Sequence, residues 1–515
     1  MPRVRAFVRE RITPSLAENE IKAALDRREE HFLRRVDAEV FRAAHSPYRP
    51  LFESAGCTYS DLASSVRRIG LEKTLTQLAR DGVYLTSDEF KGKKPIVRGH
   101  RTFRVTPEDF LPRDLRSDFF TMSSGTRNRP VRSFITLEWL AVRALSMALW
   151  FETHGLLDRA HAIYDGILPS GGGTNNVLIY ARMGIPVEHW FTRRGSVDSW
   201  VLRQYYSLTT RAIVRTVSRF GPGPVRLEPV DVREISRIVR WIQEVNRRGA
   251  SCCIAATASN AARIARTAGE LGASLEGTKF IAVGEPFTDA KRAVIARAGA
   301  SATPRFAYGG GVPAGLGCAD PRETDDHHVN EHLLVLQSHP DRLSADGPPI
   351  FPLLCTTVHP AAPRLLINVQ SGDYGTLVRR SCGCALGRVG LTLHVCTIRS
   401  FEKLTSEGMN YYVVDLYHIL EKTLPSEFGG GPGDYQLVEE EDHHGQTRLT
   451  LRVAPSVGAV DEGSLLSRLR TEVAKGSRGN RFMEAVWRGA GTFQVTREVP
   501  HSSHRGKILP LHLPH

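Results

Sequence analysis

Residues 251–283 read SCCIAATASNAARIARTAGELGASLEGTKFIAV, and this stretch decides the fold class. Two short apolar runs flank a segment with helical periodicity, and the same alternation continues on both sides. It predicts helices at 238–247, 259–270 and 288–297, and strands at 251–256, 280–283 and 305–308. Alternating strands and helices with short connections are typical of an α/β fold with parallel strands, in which ligands bind at the carboxyl ends of the strands.

Composition sets the broad class of the protein. With 515 residues and 41% hydrophobic content, the chain can form one large domain and a smaller one. No stretch is apolar for long enough to span a bilayer, and the N-terminus is charged where a signal peptide has its apolar core. The eight cysteines are scattered, as in proteins of a reducing compartment. We therefore expect a cytoplasmic protein with no membrane partner.

The net charge of +13 comes mainly from scattered arginines. The chain shows no RNP, zinc-finger or helix-turn-helix pattern, so we expect no nucleic-acid partner. Arginines that attract a phosphorylated small ligand explain the charge as well as a nucleic acid would.

Residues 120–130 read FTMSSGTRNRP and precede a helical pattern. Their hydroxyls, glycine and cations are suited to surrounding the oxygens of a polyphosphate. The candidate phosphate-binding residues are Ser123, Ser124, Gly125, Thr126 and Arg127. On the local sequence alone, a plain turn is an equally good interpretation.

Three further features follow predicted strands, where ligands bind in this fold class. Gly284 and Glu285 follow the strand at 280–283, and Tyr308 with Gly309 closes the next one. Asp373 lies in a turn after an apolar strand. Its carboxylate can accept hydrogen bonds from two vicinal ribose hydroxyls, or it can serve as an ordinary turn residue.

The order of these motifs resembles that of the adenylate-forming superfamily, which includes acyl-CoA synthetases, adenylation domains of nonribosomal peptide synthetases and luciferase. The likeness is greatest to its phenylacetate-CoA ligase-like branch and covers nearly the whole chain from about residue 45. The motifs are TMSSGT at 121–126, VGE at 283–285, YG at 308–309, SGD at 371–373, RSFEK at 399–403 before EGMN at 407–410, and VPHSSHRGKI at 499–508.

The resemblance implies a fold of two parts. A large adenylate-forming domain of layered sheets and helices would span 1–398, beginning with a helical extension over 1–45. A small mobile α+β lid would span 399–515.

The resemblance also implies an activity, that of an acid–thiol ligase of biosynthesis. With ATP and Mg²⁺, such an enzyme activates a carboxylic acid to an acyl-adenylate and releases pyrophosphate. The nearest branch activates aryl acids, so we expect an aromatic or cyclic acid, bound by residues 150–154, 170–176 and the turn after Tyr308. The acyl group would then pass to CoA, a carrier-protein thiol or another nucleophile. The oligomeric state is left open, with a homodimer among the options.

Individual residues acquire roles from the same resemblance. The loop at 123–127 would hold the β- and γ-phosphates of ATP, Tyr308 would stack on adenine, and Asp373 would bind the ribose. The implied ATP- and AMP-binding residues are Ser123, Ser124, Gly125, Thr126, Arg127, Gly284, Glu285, Tyr308, Gly309, Asp373 and Arg399.

The implied catalytic residue is Lys507, whose ammonium group would stabilise the charge that develops at the α-phosphate. Glu402 falls at the hinge position, about which the lid would rotate between two states.

The chain also departs from the family pattern. Arg127 and Asn128 replace a threonine and a glycine, and Val312 stands where the family has a glutamate that helps to bind magnesium. Magnesium would then depend on phosphates, water and another carboxylate such as Glu285 or Glu331. Two alternatives follow: an enzyme that stops at the acyl-adenylate, and a non-catalytic homologue that binds a nucleotide or an acyl group.

Cys382-Gly383-Cys384 resembles a cysteine-bearing turn of some phenylacetate-CoA ligase-like proteins. With Cys318 and the DDHH run at 325–328 it could form a structural zinc site. The CxC spacing favours plain buried thiols instead, and the question of zinc is left open.

Overall fold

The computed structural model describes residues 1–122, 132–192, 200–308, 311–341, 350–400, 405–406, 409–410, 415–441, 447–475, 493–503 and 506–512. Within these ranges helices alternate with strands of one large sheet, which confirms the predicted α/β fold class.

The α-helices are α1 (Pro2–Arg9), α2 (Pro14–Asp26), α3 (Arg28–Val36), α4 (Arg49–Ser54), α5 (Tyr59–Ile69), α6 (Leu71–Arg80), α7 (Ser87–Phe90), α8 (Leu137–Thr153), α9 (Gly171–Arg182), α10 (Trp200–Phe220), α11 (Ser236–Arg247), α12 (Ala258–Glu270), α13 (Asp289–Arg297), α14 (Ala385–Arg388), α15 (Leu416–His418), α16 (Leu424–Phe428) and α17 (Glu462–Ala474).

The strands are β1 (Ile96–Arg98), β2 (Arg101–Phe103), β3 (Phe119–Met122), β4 (Arg132–Ile135), β5 (Ala160–Tyr164), β6 (Val187–Thr192), β7 (Arg226–Pro229), β8 (Cys252–Thr257), β9 (Lys279–Val283), β10 (Ser301–Tyr308), β11 (Val312–Gly317), β12 (His327–Val329), β13 (Leu334–Ser338), β14 (Pro352–Thr357), β15 (Val369–Arg379), β16 (Leu393–Ser400), β17 (Thr405–Ser406), β18 (Met409–Asn410), β19 (Tyr435–Glu441), β20 (Thr447–Val453), β21 (Phe493–Thr496) and β22 (Leu511–His512).

Among the described residues, twelve strands form one sheet in the order β13-β14-β15-β16-β12-β11-β10-β9-β8-β5-β6-β7. The half from β10 to β7 is parallel. The other half is antiparallel and starts where β10 pairs with β11. The three strands predicted by alternation are β8, β9 and β10. Helices cover this long sheet, which is continuous because β10 hydrogen-bonds to a neighbour on each side.

The parallel strands are apolar throughout because both of their faces are covered. Along β8, Ile254 points into the core formed with α11, α12 and α13. The next residue, Ala255, points into the core formed with α1, α2, α8, α9 and α10. Successive side chains of a strand face opposite sides, so a continuous apolar run is what a doubly covered strand requires.

The antiparallel half carries its own core, built with the N-terminal helices α3 to α7. The helical extension expected over 1–45 consists of α1, α2 and α3, followed by a π-helical turn at Asp37–Phe41.

Residues 415–512 contain a second, smaller sheet in the order β21-β20-β19-β22, which packs on α15 to α17. Strands β19 and β20 of this sheet form an antiparallel hairpin. Strand β16 continues in the large sheet to Ser400, two residues beyond the predicted boundary at 398. The boundary itself stays a prediction.

None of the helices in the described ranges is long and apolar enough to cross a membrane.

Asn368 fastens helix α6 to the antiparallel half. Its backbone has a φ of 49°, which is left-handed, and its side chain is fully buried. The amide nitrogen donates to the carbonyls of Leu75 at 2.8 Å and Val83 at 3.1 Å. Asparagine suits this position because it tolerates the left-handed region and also supplies two donors.

We expect Asn368→Ala to lower the free energy of unfolding by about 2–4 kcal/mol, since two buried carbonyls lose their donor and the strained φ remains. Asn368→Gly removes the same donor but relieves the strain, so it should be more stable than the alanine variant by about 1 kcal/mol. Urea unfolding followed by tryptophan fluorescence measures both. Equal stability of the two variants would contradict the strain at this position.

Candidate active site

The turn after β9 is held against the start of helix α12. Both carboxylate oxygens of Glu285 accept hydrogen bonds from Ser259, at 2.8 Å from its backbone N–H and at 2.7 Å from its hydroxyl. Ser259 lies in the first turn of α12, where backbone N–H groups lack partners within the helix and a negative charge is favourable. The carboxyl end of a parallel strand is thus fixed beside the positive end of a helix.

Lys507 reaches this turn from the other end of the chain. A Cβ atom built on Gly284 would lie 3.0 Å from both Cε and Nζ of Lys507. Gly284 has a φ of 81°, so the turn needs glycine for its backbone angle and also for the space that the lysine occupies. The structure therefore brings together Gly284, Glu285 and Lys507, three residues that the sequence motifs place in one site.

A tight turn presents Lys507. The backbone N–H of Ser503 donates to the carbonyl of Lys507 at 2.8 Å, and the N–H of Lys507 donates to the Ser503 hydroxyl at 3.1 Å. The guanidinium of Arg263, on helix α12, donates to the carbonyl of Gly506 at 3.2 Å. The lysine turn is therefore attached to the same helix that receives Glu285.

Charged pairs join residues 415–512 to the large domain. Lys291 of α13 lies 2.8 Å from Glu421, with side chains that are only 1% and 9% exposed. Lys291 also donates to the carbonyl of Pro286 at 3.2 Å. One cation thus binds both the Glu285 turn and residues 415–512, which we call the C-terminal unit. Arg266 of α12 donates to both carboxylate oxygens of Asp434, at 2.7 and 2.8 Å.

Asp373 and Arg399 lie on neighbouring strands but on different faces. Asp373 pairs with Ser400 across β15 and β16, whereas Arg399 pairs with Tyr374. Directly paired residues share a face and successive residues alternate, so the two side chains diverge. The hydroxyl of Ser371 donates to Asp373 at 2.8 Å. The Asp373 side chain is half-buried, and the residue lies within β15 and not in the predicted turn.

Arg399 faces the C-terminal unit. Its guanidinium lies 5.9 Å from the centre of the Tyr417 ring and 3.9 Å from a carboxylate oxygen of Asp415. Its Nε is buried and makes no hydrogen bond among the described atoms. The geometry gives Arg399 a place between the large sheet and the C-terminal unit, and its contact with a nucleotide stays a prediction.

Tyr308 does not have the surroundings expected of a residue that stacks on adenine. Its side chain is 1% exposed and belongs to the core of the antiparallel half. The hydroxyl donates to the carbonyl of Val369 at 2.7 Å and also to that of Leu353. Burial raises the pKa of Tyr308 well above its ordinary value. A ring enclosed in this way presents no face to a ligand, so the stacking role is not supported by the geometry.

The carboxylates expected to help bind magnesium already have partners. Glu331 is paired with Arg379 at 2.8 Å and accepts hydrogen bonds from the backbone N–H groups of Thr392 and Leu393 at 2.9 and 3.0 Å. Glu331 anchors the start of β16, and these partners occupy both of its carboxylate oxygens. Glu285 receives Ser259 with both oxygens.

The segments expected to line an acyl pocket are tightly packed. Trp150 is fully buried, and its indole N–H donates to the carbonyl of Gly317 at 2.8 Å. A Cβ on Gly173 would lie 2.2 Å from the ring of Trp190, so this glycine serves helix-to-strand packing. His154 accompanies Trp150 at the Gly317 carbonyl, and burial lowers its pKa to about 4.

The three cysteines considered for zinc do converge. Cys318, Cys382 and Cys384 are all buried, and the two thiols of the CxC turn lie 3.1 and 3.3 Å from Nε2 of His328. The neighbouring Cys318 thiol and His328 lower the pKa of the Cys384 thiol. The sequence favours separate buried thiols, but in the structure these thiols lie close together.

Several predicted site residues lie outside the described residues: Ser123, Ser124, Gly125, Thr126, Arg127, Gly309 and Glu402. Their roles stay predictions. The contact of Arg263 with the Lys507 turn and that of Lys291 with the Glu285 turn are not predicted from the sequence, because a single basic residue on a helix carries no motif.

Comparison with known proteins gives matches among solved structures. A 2-hydroxyisobutyryl-CoA ligase, solved with 2-HIB-AMP and CoA in the thioesterification state, matches at 14% identity over 95% of this chain and 87% of its own, with a TM-score of 0.43. McyG A-PCP, solved with phenylalanyl-adenylate, matches at 12% identity over 79% of this chain and 66% of its own, with a TM-score of 0.42.

The anthranilate CoA ligase AuaEII, solved with anthranoyl-AMP, matches at 11% identity over 76% of this chain and 65% of its own, with a TM-score of 0.40. This chain thus spans about two thirds of the length of McyG A-PCP and AuaEII. No protein-family model matches the chain, and no curated protein matches it in sequence.

The contact between Gly284 and Lys507 can be tested without any assay of activity. We expect Gly284→Ala to displace the Lys507 side chain. The rate at which a small amount of an amine-reactive acetylating reagent modifies Lys507, measured by mass spectrometry, should then rise. The matched control is Gly272→Ala, because Gly272 also has a positive φ, of 63°, but a Cβ there meets nothing within 4 Å. Both variants should lose about 1–2 kcal/mol of stability from the left-handed backbone. Equal labelling of Lys507 in both would contradict the contact.

Proposed function

We propose that the protein is an adenylate-forming ligase that activates a carboxylic acid with ATP. The observation that carries this proposal is the position of Lys507, whose ammonium group lies against the Gly284 turn at the carboxyl end of a parallel strand. Ligands of open α/β sheets bind at that edge. A cation brought there by a separate unit is suited to a substrate with a polyphosphate.

The proposed reaction needs no covalent bond between the protein and the substrate. An oxygen of the substrate carboxylate attacks the α-phosphorus, the bond to the β-phosphate breaks, and pyrophosphate leaves with the electron pair. The carboxylate is already ionised, so no base is needed. Lys507 stabilises the negative charge that spreads over the phosphoryl oxygens, and positioning supplies the remaining acceleration.

Magnesium would supply further positive charge to the phosphates, but the predicted carboxylates do not fit it as ligands. Glu331 is engaged by Arg379 and two backbone N–H groups, and Glu285 by Ser259. We propose that Mg²⁺ enters with the nucleotide, held by phosphate oxygens and water. Asp373 remains the candidate for the ribose hydroxyls.

The substrate and acceptor rest on the motif resemblance. It favours an aromatic or cyclic acid, and transfer of the acyl group to CoA, a carrier-protein thiol or another nucleophile. A cytoplasmic location fits the cysteines, since all eight are free thiols.

A second candidate is a non-catalytic protein that binds a nucleotide or an acyl group. It is favoured by two observations, namely Val312 in place of the metal-binding glutamate and the enclosure of Tyr308 in the core. The exchange experiment described next distinguishes the two candidates.

ATP–pyrophosphate exchange with a panel of aromatic, cyclic and aliphatic acids tests the ligase. We expect exchange with at least one acid, and we expect Lys507→Ala to reduce it by about 10²–10³-fold, the effect of removing a transition-state charge partner. The control is Lys475→Ala, because Lys475 is 62% exposed and pairs with Glu472 at the end of helix α17. Absence of exchange with every acid, with nucleotide binding retained, would favour the second candidate.

The acceptor is tested by adding CoA to the acid that gives the strongest exchange. We expect the acyl-CoA thioester to appear by mass spectrometry, with AMP and pyrophosphate formed in equal amounts. If acyl-AMP accumulates and no thioester forms, CoA is not the acceptor, and a carrier protein or an amine is tried in its place.

A further inference from the structure

We propose that Cys318, Cys382, Cys384 and His328 bind a structural Zn²⁺ ion. The four side chains come from three places in the chain: the end of β11, the strand β12 and the loop between β15 and α14. They meet in the antiparallel half of the sheet. All four are buried, with exposures between 0% and 9%. A zinc ion here is independent of the proposed ligase chemistry.

Four of the six distances between the donor atoms are close to those of a tetrahedral site. The sulfur of Cys382 lies 3.7 Å from that of Cys318 and 3.3 Å from that of Cys384. With Zn–S bonds of about 2.3 Å and Zn–N bonds of about 2.0–2.1 Å, ligand sulfurs are about 3.8 Å apart, and a sulfur and a nitrogen about 3.5 Å. Nε2 of His328 lies 3.1 and 3.3 Å from the two CxC sulfurs. Outward movements of a few tenths of an ångström give a regular site.

The hydrogen bonding of His328 leaves the correct nitrogen for a metal. Its Nδ1 lies 2.7 Å from the carbonyl oxygen of Leu391. A carbonyl can only accept, so Nδ1 carries the proton and Nε2 has a lone pair directed at the thiols. A backbone carbonyl that fixes the tautomer in this way is the usual support of a metal-binding histidine.

A second layer of polar groups surrounds the four donors. Arg380, with a side chain that is 7% exposed, donates to the sulfur of Cys318 at 3.3 Å and to Asp326 at 2.6 Å. Three thiolates and one Zn²⁺ carry a net charge of −1, which a buried guanidinium offsets. Asp326 also accepts from Nδ1 of His394 at 2.7 Å.

His394 is a competing ligand, because its Nε2 is buried and has no hydrogen-bond partner among the described atoms. One ring nitrogen of His394 lies within 4.8 Å of the donor atoms of Cys318, His328 and Cys382. Cys384 fits better, since its sulfur is 3.3 Å from Cys382 and 3.1 Å from His328. We therefore assign His394 to the supporting layer.

The site is structural because protein side chains fill four positions, which leaves none for a substrate. It is also remote from Asp373, which lies six residues before the end of β15, or about 20 Å at 3.3 Å per residue. A disulfide would require an S–S distance of about 2.05 Å, and the measured separations are longer. Zinc instead gives each buried thiol a partner and ties β11 and β12 to the end of β15.

The test is metal analysis of the full-length protein, purified without a metal-affinity tag or chelator from zinc-supplemented cells. We expect about one zinc per chain in the wild type and less than about a tenth in Cys382→Ser and Cys384→Ser. Cys57→Ser and Cys396→Ser are the matched controls, because these half-buried thiols lie outside the cluster, and they should keep the zinc. Wild-type protein with less than about a tenth of an equivalent would overturn the site.

Two further measurements on the same preparations keep the test decisive if a cysteine variant fails to fold. Replacing zinc with Co²⁺ in the wild type should produce thiolate-to-cobalt charge-transfer absorption and strong visible bands of tetrahedral cobalt; weak bands without charge transfer would exclude thiolate ligands. His328→Asn should lose the metal and His394→Asn should keep it. The reverse result would overturn the proposed ligand set.

Discussion

Strand β10 is the element on which the large domain depends, because it hydrogen-bonds in parallel to β9 and in antiparallel to β11. Without this double pairing the chain would have two sheets, each with an exposed edge. With it, the parallel half and the antiparallel half share one framework. The turn at Gly284 and the strands that carry Asp373 and Arg399 are therefore held in a fixed relation, although almost ninety residues separate Gly284 from Asp373.

The C-terminal unit adds to this framework a set of contacts of a different kind. Its own core is apolar and includes contacts with Ile350 and Tyr374 of the large domain. The two parts are also joined by charged groups on α12 and α13, the helices that follow the parallel strands β8 and β9. The same two helices hold the Glu285 turn and the Lys507 turn. The helices that hold the C-terminal unit therefore also position Lys507.

Local periodicity predicts the parallel half well because a doubly covered strand must be an uninterrupted apolar run and its helix must be amphipathic. Strands β8 and β9 start and end within one residue of the prediction. Tyr308 shows the limit of this reasoning. Its position after the strand is correct, but whether its ring faces a ligand or the core depends on β14 and β15, which are distant in sequence. The same limit applies to Arg399, because strand register sets its face.

The cysteine cluster illustrates a second limit. A CxC spacing alone does not distinguish a metal site from isolated thiols. The sequence offers Cys318 and residues 325–328 as partners, but only the fold shows that Cys318, after β11, and His328, on β12, reach the CxC turn. His394 has no motif at all and becomes visible only through sheet pairing between β12 and β16. The order of the motifs along the whole chain, by contrast, does predict that Gly284 and Lys507 lie in one site, and in the structure the two are in contact.

The charged seam between the large domain and the C-terminal unit has a consequence for motion. Arg266 and Lys291 contribute the positive side, and Asp434 and Glu421 the negative side. If the unit swings away, each surface exposes two like charges that water and salt must then screen, so dissolved ions favour separation. The ionic strength of the surroundings would thus affect how long the unit stays docked.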